Sequence, residues 1–165
     1  MKRVFLFFLL CYGVTVRAHA QLVQGVLKVK EQSKVELTVP NGKAVNLYAD
    51  FRADNYPILF SFSCVDIPLN DEKKEVVQFV FTTTVKRDGK VVGTSKRSPI
   101  PFFPGDMLMP TETFDFISIL SNLQTNAPDH TSEIPKGSYE ITIEANAVGV
   151  KGRIQPATLL VKFRG

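Results

Sequence analysis

Nucleophilic and metal chemistry draws on histidine and cysteine, and this chain has two of each. His19 and Cys11 lie in the first twenty residues, whose pattern marks them for removal, so His130 and Cys64 remain. A zinc site takes three or four such ligands, more than one histidine and one cysteine supply. Asp129 and Glu133 sit near His130, and Asp66, Asp71 and Glu72 form a second acidic group. A hard cation would need loop carbonyls and further carboxylates to converge there, and no twelve-residue calcium loop is present. Both groups read as solvated loops, and no metal or other cofactor is expected.

A serine triad would have to use His130 as its base. That residue lies in SNLQTNAPDHTSE, and no G-x-S-x-G elbow occurs in the chain. Cys64, in YPILFSFSCVD, shares the parity of Phe60 and Phe62 and reads as a small buried apolar residue. Gly89 and Gly93 fall in a hairpin context with no helix after them to present amides to a phosphate. Two carboxylates converging from separate strands, about 5 to 10 Å apart, could hydrolyse a glycoside. That alternative, a small secreted carboxylate-dependent hydrolase, needs a cleft for which the chain has little spare length. The expectation is a protein that is not an enzyme.

Binding is the better-supported class. Lys86, Arg87, Lys90, Lys96 and Arg97 surround one hairpin and could meet an anionic surface or polysaccharide; solvated hairpin charges are the plainer account. Pro99 to Pro110 (PIPFFPGDMLMP) carries four prolines in twelve residues, which excludes a regular helix or a central strand. Its apolar group is Ile100, Phe102, Phe103, Met107, Leu108 and Met109. Packed, this segment plugs one open end of the domain; exposed, it is a contact patch. In the second case Phe102, Phe103, Met107 and Met109 are the candidate partner-contact anchors. Exposed sheet edges offer strand addition as a further mode. A carbohydrate-binding module is the alternative. It predicts exposed aromatic rings, with Tyr48, Phe51, Tyr56 and Tyr139 as the residues in question, and the lack of tryptophan weakens it.

The elements that must position these residues begin after an export signal. Lys2 and Arg3 precede an apolar run from Val4 to Tyr12, and Ala18-His19-Ala20 places small residues where a signal peptidase reads them. The run is too short for a membrane-spanning helix of about 20 residues. Residues 1–20 are therefore expected to be cleaved, leaving Gln21 first and a single domain over residues 21–165. The protein is expected to be secreted, periplasmic or on the cell surface, with no later transmembrane segment. Three of the 20 basic residues (Lys2, Arg3 and Arg17) leave with the signal, so 17 stand against 16 acidic ones, a net +1. That near-neutral chain lacks the basic footprint of a nucleic-acid binder. One cysteine forms no internal disulfide, so stability must come from the core.

The rest is strand-like. Period-two alternation marks Lys34–Val39, Ile58–Cys64, Val77–Phe81 and Tyr139–Ala145. Asn41-Gly42 and Asp88-Gly89 mark tight hairpin turns, the first followed by a return strand over 44–49. Glu112–Leu120 reads as a strand, with a short helix from Asp115 as the alternative. Residues 147–155, with Gly149 and Gly152, read as a long hairpin connection before a last strand from Thr158 to Phe163. Eight or nine short strands without a long amphipathic helix predict an all-β, two-layer antiparallel β-sandwich, immunoglobulin-like in topology, with a jelly roll or small barrel as the alternative. The predicted core is Val35, Leu37, Phe60, Phe62, Val77, Phe79, Phe81, Tyr139, Ile141, Ile143, Leu159 and Val161.

Overall fold

The structure is a computed structural model that describes residues 21–39, 51, 55–126 and 132–163. The predicted signal, the Asn41-Gly42 turn with its return strand, Tyr48, and His130 with Asp129 lie outside the described residues.

Alternation does what the sequence requires of it. β1 (Leu22–Val29), β2 (Lys34–Val39), β3 (Ile58–Val65) and β4 (Val77–Arg87) each turn their apolar parity inward. β5 (Lys90–Lys96) follows through Asp88 and Gly89, both at positive φ (48° and 80°), as a two-residue turn matched to strand twist demands. β6 (Ile100–Phe102) and β7 (Gly105–Met109) come next. A 3-10 turn (Thr111–Phe114) and helix α1 (Phe116–Asn122) precede the small pair β8 (Thr125–Asn126) and β9 (Ser132–Glu133). β10 (Gly137–Ala147), β11 (Lys151–Gln155) and β12 (Ala157–Phe163) complete the chain.

Two main sheets face each other and neither closes into a barrel. One has the order β11-β1-β3-β7; the other runs β2-β12-β10-β4-β5, with β6 also on β4. All twelve predicted core residues are buried. At the centre Phe60 meets Phe62, Phe79, Phe81 and Phe102 at ring-centroid distances of 5.3, 4.9, 5.5 and 5.7 Å, three of the four edge-on. Edge-on rings place a positive rim against a negative face, which adds to the area buried.

Three expectations need correction. The sheets are not wholly antiparallel: β11 runs parallel to β1, and β2 parallel to β12. Residues 147–155 are more than a hairpin connection, because Lys151–Gln155 pairs with β1 in one sheet before β12 crosses to the other. Pro156, which has no N–H to donate, stands at the crossing. Glu112–Leu120 is not a strand. The chain makes a 3-10 turn, reverses at Asp115 (φ 56°) and enters α1, burying Phe114, Phe116, Ile117 and Leu120. Phenylalanines at 114 and 116 mimic period two, but the left-handed residue between the two turns points both rings inward.

Candidate functional site

The prolines of the 99–110 segment shape a strap between the sheets. β6 pairs with β4, with Val77 opposite Phe102, and β7 pairs with β3, with Phe62 opposite Gly105. Only Phe103 and Pro104 lie between the two short strands. β7 is an edge strand, consistent with the exclusion of a central strand. The four candidate anchors are divided by this geometry. Phe102 lies within 5.7 Å of the rings of Phe60 and Phe81. Met109 is 6% exposed and Met107 half-buried. Phe103 is 53% exposed, with the Lys74 ammonium 5.4 Å from its ring centre. One side of the strap thus fills the core and the other faces out. Leu108, not among the candidate anchors, faces out with Leu59 opposite it on β3.

Phe103 has company. The strap crosses between sheets at the end where β3 hands over to β4 (residues 66–76) and β10 to β11 (148–150). Each of these connections carries one exposed large apolar side chain: Leu69, Phe103 and Val148. Leu22 and Val65 lie directly opposite each other on the neighbouring strand ends and are exposed as well. Five of the seven exposed large apolar side chains among the described residues therefore gather at this end. Contacts hold the 66–76 loop against its neighbours at this end. Lys74 covers Phe103, Leu69 bridges to Glu75, and the Cys64 thiol bonds to the Glu75 carboxylate next to Val65. Asn70 Oδ1 accepts from the Glu72 and Lys74 amides at 3.0 and 2.9 Å, which fixes the loop that presents Leu69. Acidic and basic side chains around the loop (Asp71, Glu72, Lys73 and Lys74) are exposed, so the apolar tips have a polar rim.

Cys64 sits half-buried at the margin of this end. Burial pushes its thiol up from the ordinary value, and the bond to Glu75 and that residue's charge push the same way. A raised thiol holds less thiolate at neutral pH, the opposite of what a nucleophile needs.

The hairpin charges are largely spent on structure. Arg97 donates to the Glu112 carbonyl at 2.6 Å and to Asp115 Oδ1 at 2.5 Å, and Ser95 Oγ reaches the other Asp115 oxygen at 2.7 Å. Together they clamp the 3-10 turn to β5. Arg87 donates to the Lys136 carbonyl at 2.6 Å, and Lys86 pairs with Glu140 at 2.8 Å. Lys90 and Lys96 are exposed. A 270 Å³ hollow on the outer face of β4, β10 and β12 brings Asp88 and Glu140 together with Lys86 and Lys162. Glu140 is engaged by Lys86, and Asp88 Oδ1 accepts the Ser138 amide at 2.9 Å.

Among the described residues no group of three or more His, Cys, Asp or Glu side chains could hold a metal, which includes Asp66, Asp71 and Glu72. Phe51 and Tyr139 are 1% exposed, and Tyr56 is half-buried with Lys30 4.2 Å above its ring. Phe103 is the one exposed aromatic side chain among the described residues, so no row of rings for stacking on sugars occurs there. No described helix is long and apolar enough to cross a membrane. No protein-family model matches this chain, and no curated protein matches it.

Proposed function

We propose that this chain is an exported, non-catalytic β-sandwich module that binds a protein partner, or an assembly neighbour, through the loop end carrying Phe103. The carrying observation is the gathering of Leu22, Val65, Leu69, Phe103 and Val148 at one end, each exposed, three of them on separate connections. Exposed apolar side chains scattered singly are ordinary; several converging inside a polar rim have the composition of an interface core. Phe103 is the anchor. Phe102, Met107 and Met109 hold the strap that presents it. Export is supported by the order of charge, apolar run and small residues in positions 2–20.

An immunoglobulin-like topology is part of this reading. The order β2-β12-β10-β4-β5 with β2 parallel to β12, facing β1-β3-β7, supports it. So does Tyr139, early in β10, whose hydroxyl donates to the Pro135 carbonyl four residues upstream at 2.6 Å, as in the tyrosine corner of such domains. On this reading the β3–β4 and β10–β11 connections lie at the end where variable domains carry their binding loops.

The test is a pull-down from the source envelope or secretions with the 21–165 chain and its Phe103→Ser, Leu69→Ser double variant. Capture of a defined partner is expected for the parent and at least tenfold less for the variant, with melting within about 0.5 kcal/mol because both sites are surface positions. Equal capture by both chains, or recovery of no partner by the parent, would sink the proposal. Capture of a glycan that survives the double substitution would favour the sugar-binding alternative.

A further inference from the structure

We propose that Gln21 is a modification site: once exposed as the first residue, it closes on itself to a pyroglutamyl terminus. This rests on the export reading, since the chemistry needs a free α-amine at Gln21. Cleavage after Ala20 in Ala18-His19-Ala20 supplies that amine. The fold then leaves the residue available. β1 begins at Leu22, whose partners are Val65 on β3 and Lys151 on β11, so strand pairing starts one residue after Gln21. Val23 is fully buried, which holds the strand from there onward. Gln21 is half-buried and stands outside the strand, and nothing among the described residues holds its side-chain amide. Both reacting groups belong to one residue, so their effective concentration is high without help from another side chain.

The step balances without a co-reactant. The α-nitrogen attacks the side-chain carbonyl carbon Cδ, a new N–Cδ amide bond forms, and the bond from Cδ to Nε2 breaks. The departing nitrogen takes a proton from the α-nitrogen and leaves as ammonia. Only the neutral amine attacks, and an α-amine with a pKa of about 7.7 to 8.0 is partly neutral at neutral pH. The product is an uncharged five-membered lactam. Its position gives it a consequence: the lost positive charge stood one residue before Leu22, at the end that gathers Leu22, Val65, Leu69, Phe103 and Val148. Closure removes the desolvation cost of an ammonium there and lets the terminus join an apolar contact. It also removes the free amine that aminopeptidases grip.

The experiment expresses the full 1–165 chain with export, incubates the purified product for several days at neutral pH and physiological temperature, and reads intact mass and Edman sequence. The expected product starts at residue 21, is lighter by one ammonia, is blocked to Edman degradation, and is opened by a pyroglutamyl peptidase. A Gln21→Ala chain is expected to start at residue 21 with full mass and to sequence normally. A product that starts at Gln21 with full mass and a readable amine overturns the inference and leaves export standing. A product that still carries Met1, or starts elsewhere, overturns both.

Discussion

At the scale of single residues, the same residue type serves opposite ends according to one step along the strap. Phe102 and Phe103 are adjacent and equally apolar, yet one joins a ring cluster and the other faces out beneath Lys74. Composition identified the segment as unusual but could not divide it, because the division depends on which sheet each half pairs with. Leu69 and Val148 carried no signal of their own: an isolated leucine or valine near a turn is ordinary until its neighbours in space are known. Tyr139 illustrates the reverse case. Alternation alone placed it in the core, and only the structure shows its hydroxyl held by Pro135 at 2.6 Å. Burial pushes this phenol above its ordinary value of 10.0; Arg87 pulls it back and Asp88 adds to the rise. A folded-state value above the unfolded one means that its contribution is complete below about pH 10 and is lost as pH climbs through the folded value. Tyr139→Phe is therefore expected to cost about 1 kcal/mol at pH 7, the net worth of one hydrogen bond. The parent is also expected to lose more stability than the variant above pH 10. Urea unfolding at pH 7, 9 and 11 reads both, and parallel pH curves for the two chains would count against the assignment.

Elements are where the alternation was most informative and where its exceptions lie. Long strands with one buried face announce themselves, because a shift of one residue would turn the whole apolar set to water. β11 does not, since Lys151, Gly152 and Arg153 at its start carry no apolar parity and are exposed. Its pairing is set by β1, and Gly152 makes the close approach feasible, since an added Cβ there would sit 2.9 Å from the Val23 carbonyl oxygen. Glycine serves the β1–β3 and β5–α1 approaches in the same way. At Gly25 an added Cβ would sit 2.3 Å from the Ser61 carbonyl oxygen and 2.7 Å from Phe62 Cβ. At Gly93 it would sit 2.3 Å from Ile119 Cγ2, the end of a side chain that can turn away. Gly25→Ala is thus expected to cost about 1–3 kcal/mol, as overpacking against backbone does, and Gly93→Ala clearly less. Thermal melts of the two variants decide this, and a larger loss at Gly93 would show that α1 is held more rigidly against β5 than backbone is in the sheet. Helix α1 was the element most easily misread. Seven residues hold too few turns for a helical period to stand out, and its placement follows from the Arg97, Ser95 and Asp115 clamp.

At the scale of the whole molecule, Cys64 is the one cysteine among the described residues and is free, so cohesion there rests on the apolar interior of the two sheets. Phe60 is fully buried and touches four other phenylalanine rings from both sheets and the strap. Phe60→Ala is expected to cost about 3–5 kcal/mol, a large share of the roughly 5–15 kcal/mol that holds a domain of this kind together. Denaturant unfolding measures it, and a loss under about 1.5 kcal/mol would mean the ring cluster does not hold the layers together. The sequence by itself determined the all-β, two-layer class, the parities of the long strands, all twelve predicted core positions and the Asp88-Gly89 turn. Each of these depends on residues close in the chain and on which side chains avoid water. Only the tertiary structure decided the two parallel pairings, the α1 clamp, the use of the hairpin charges and the gathering of five exposed apolar side chains at one end. Those depend on residues dozens of positions apart, brought together by connections between sheets, and spacing along the chain carries no record of such distances.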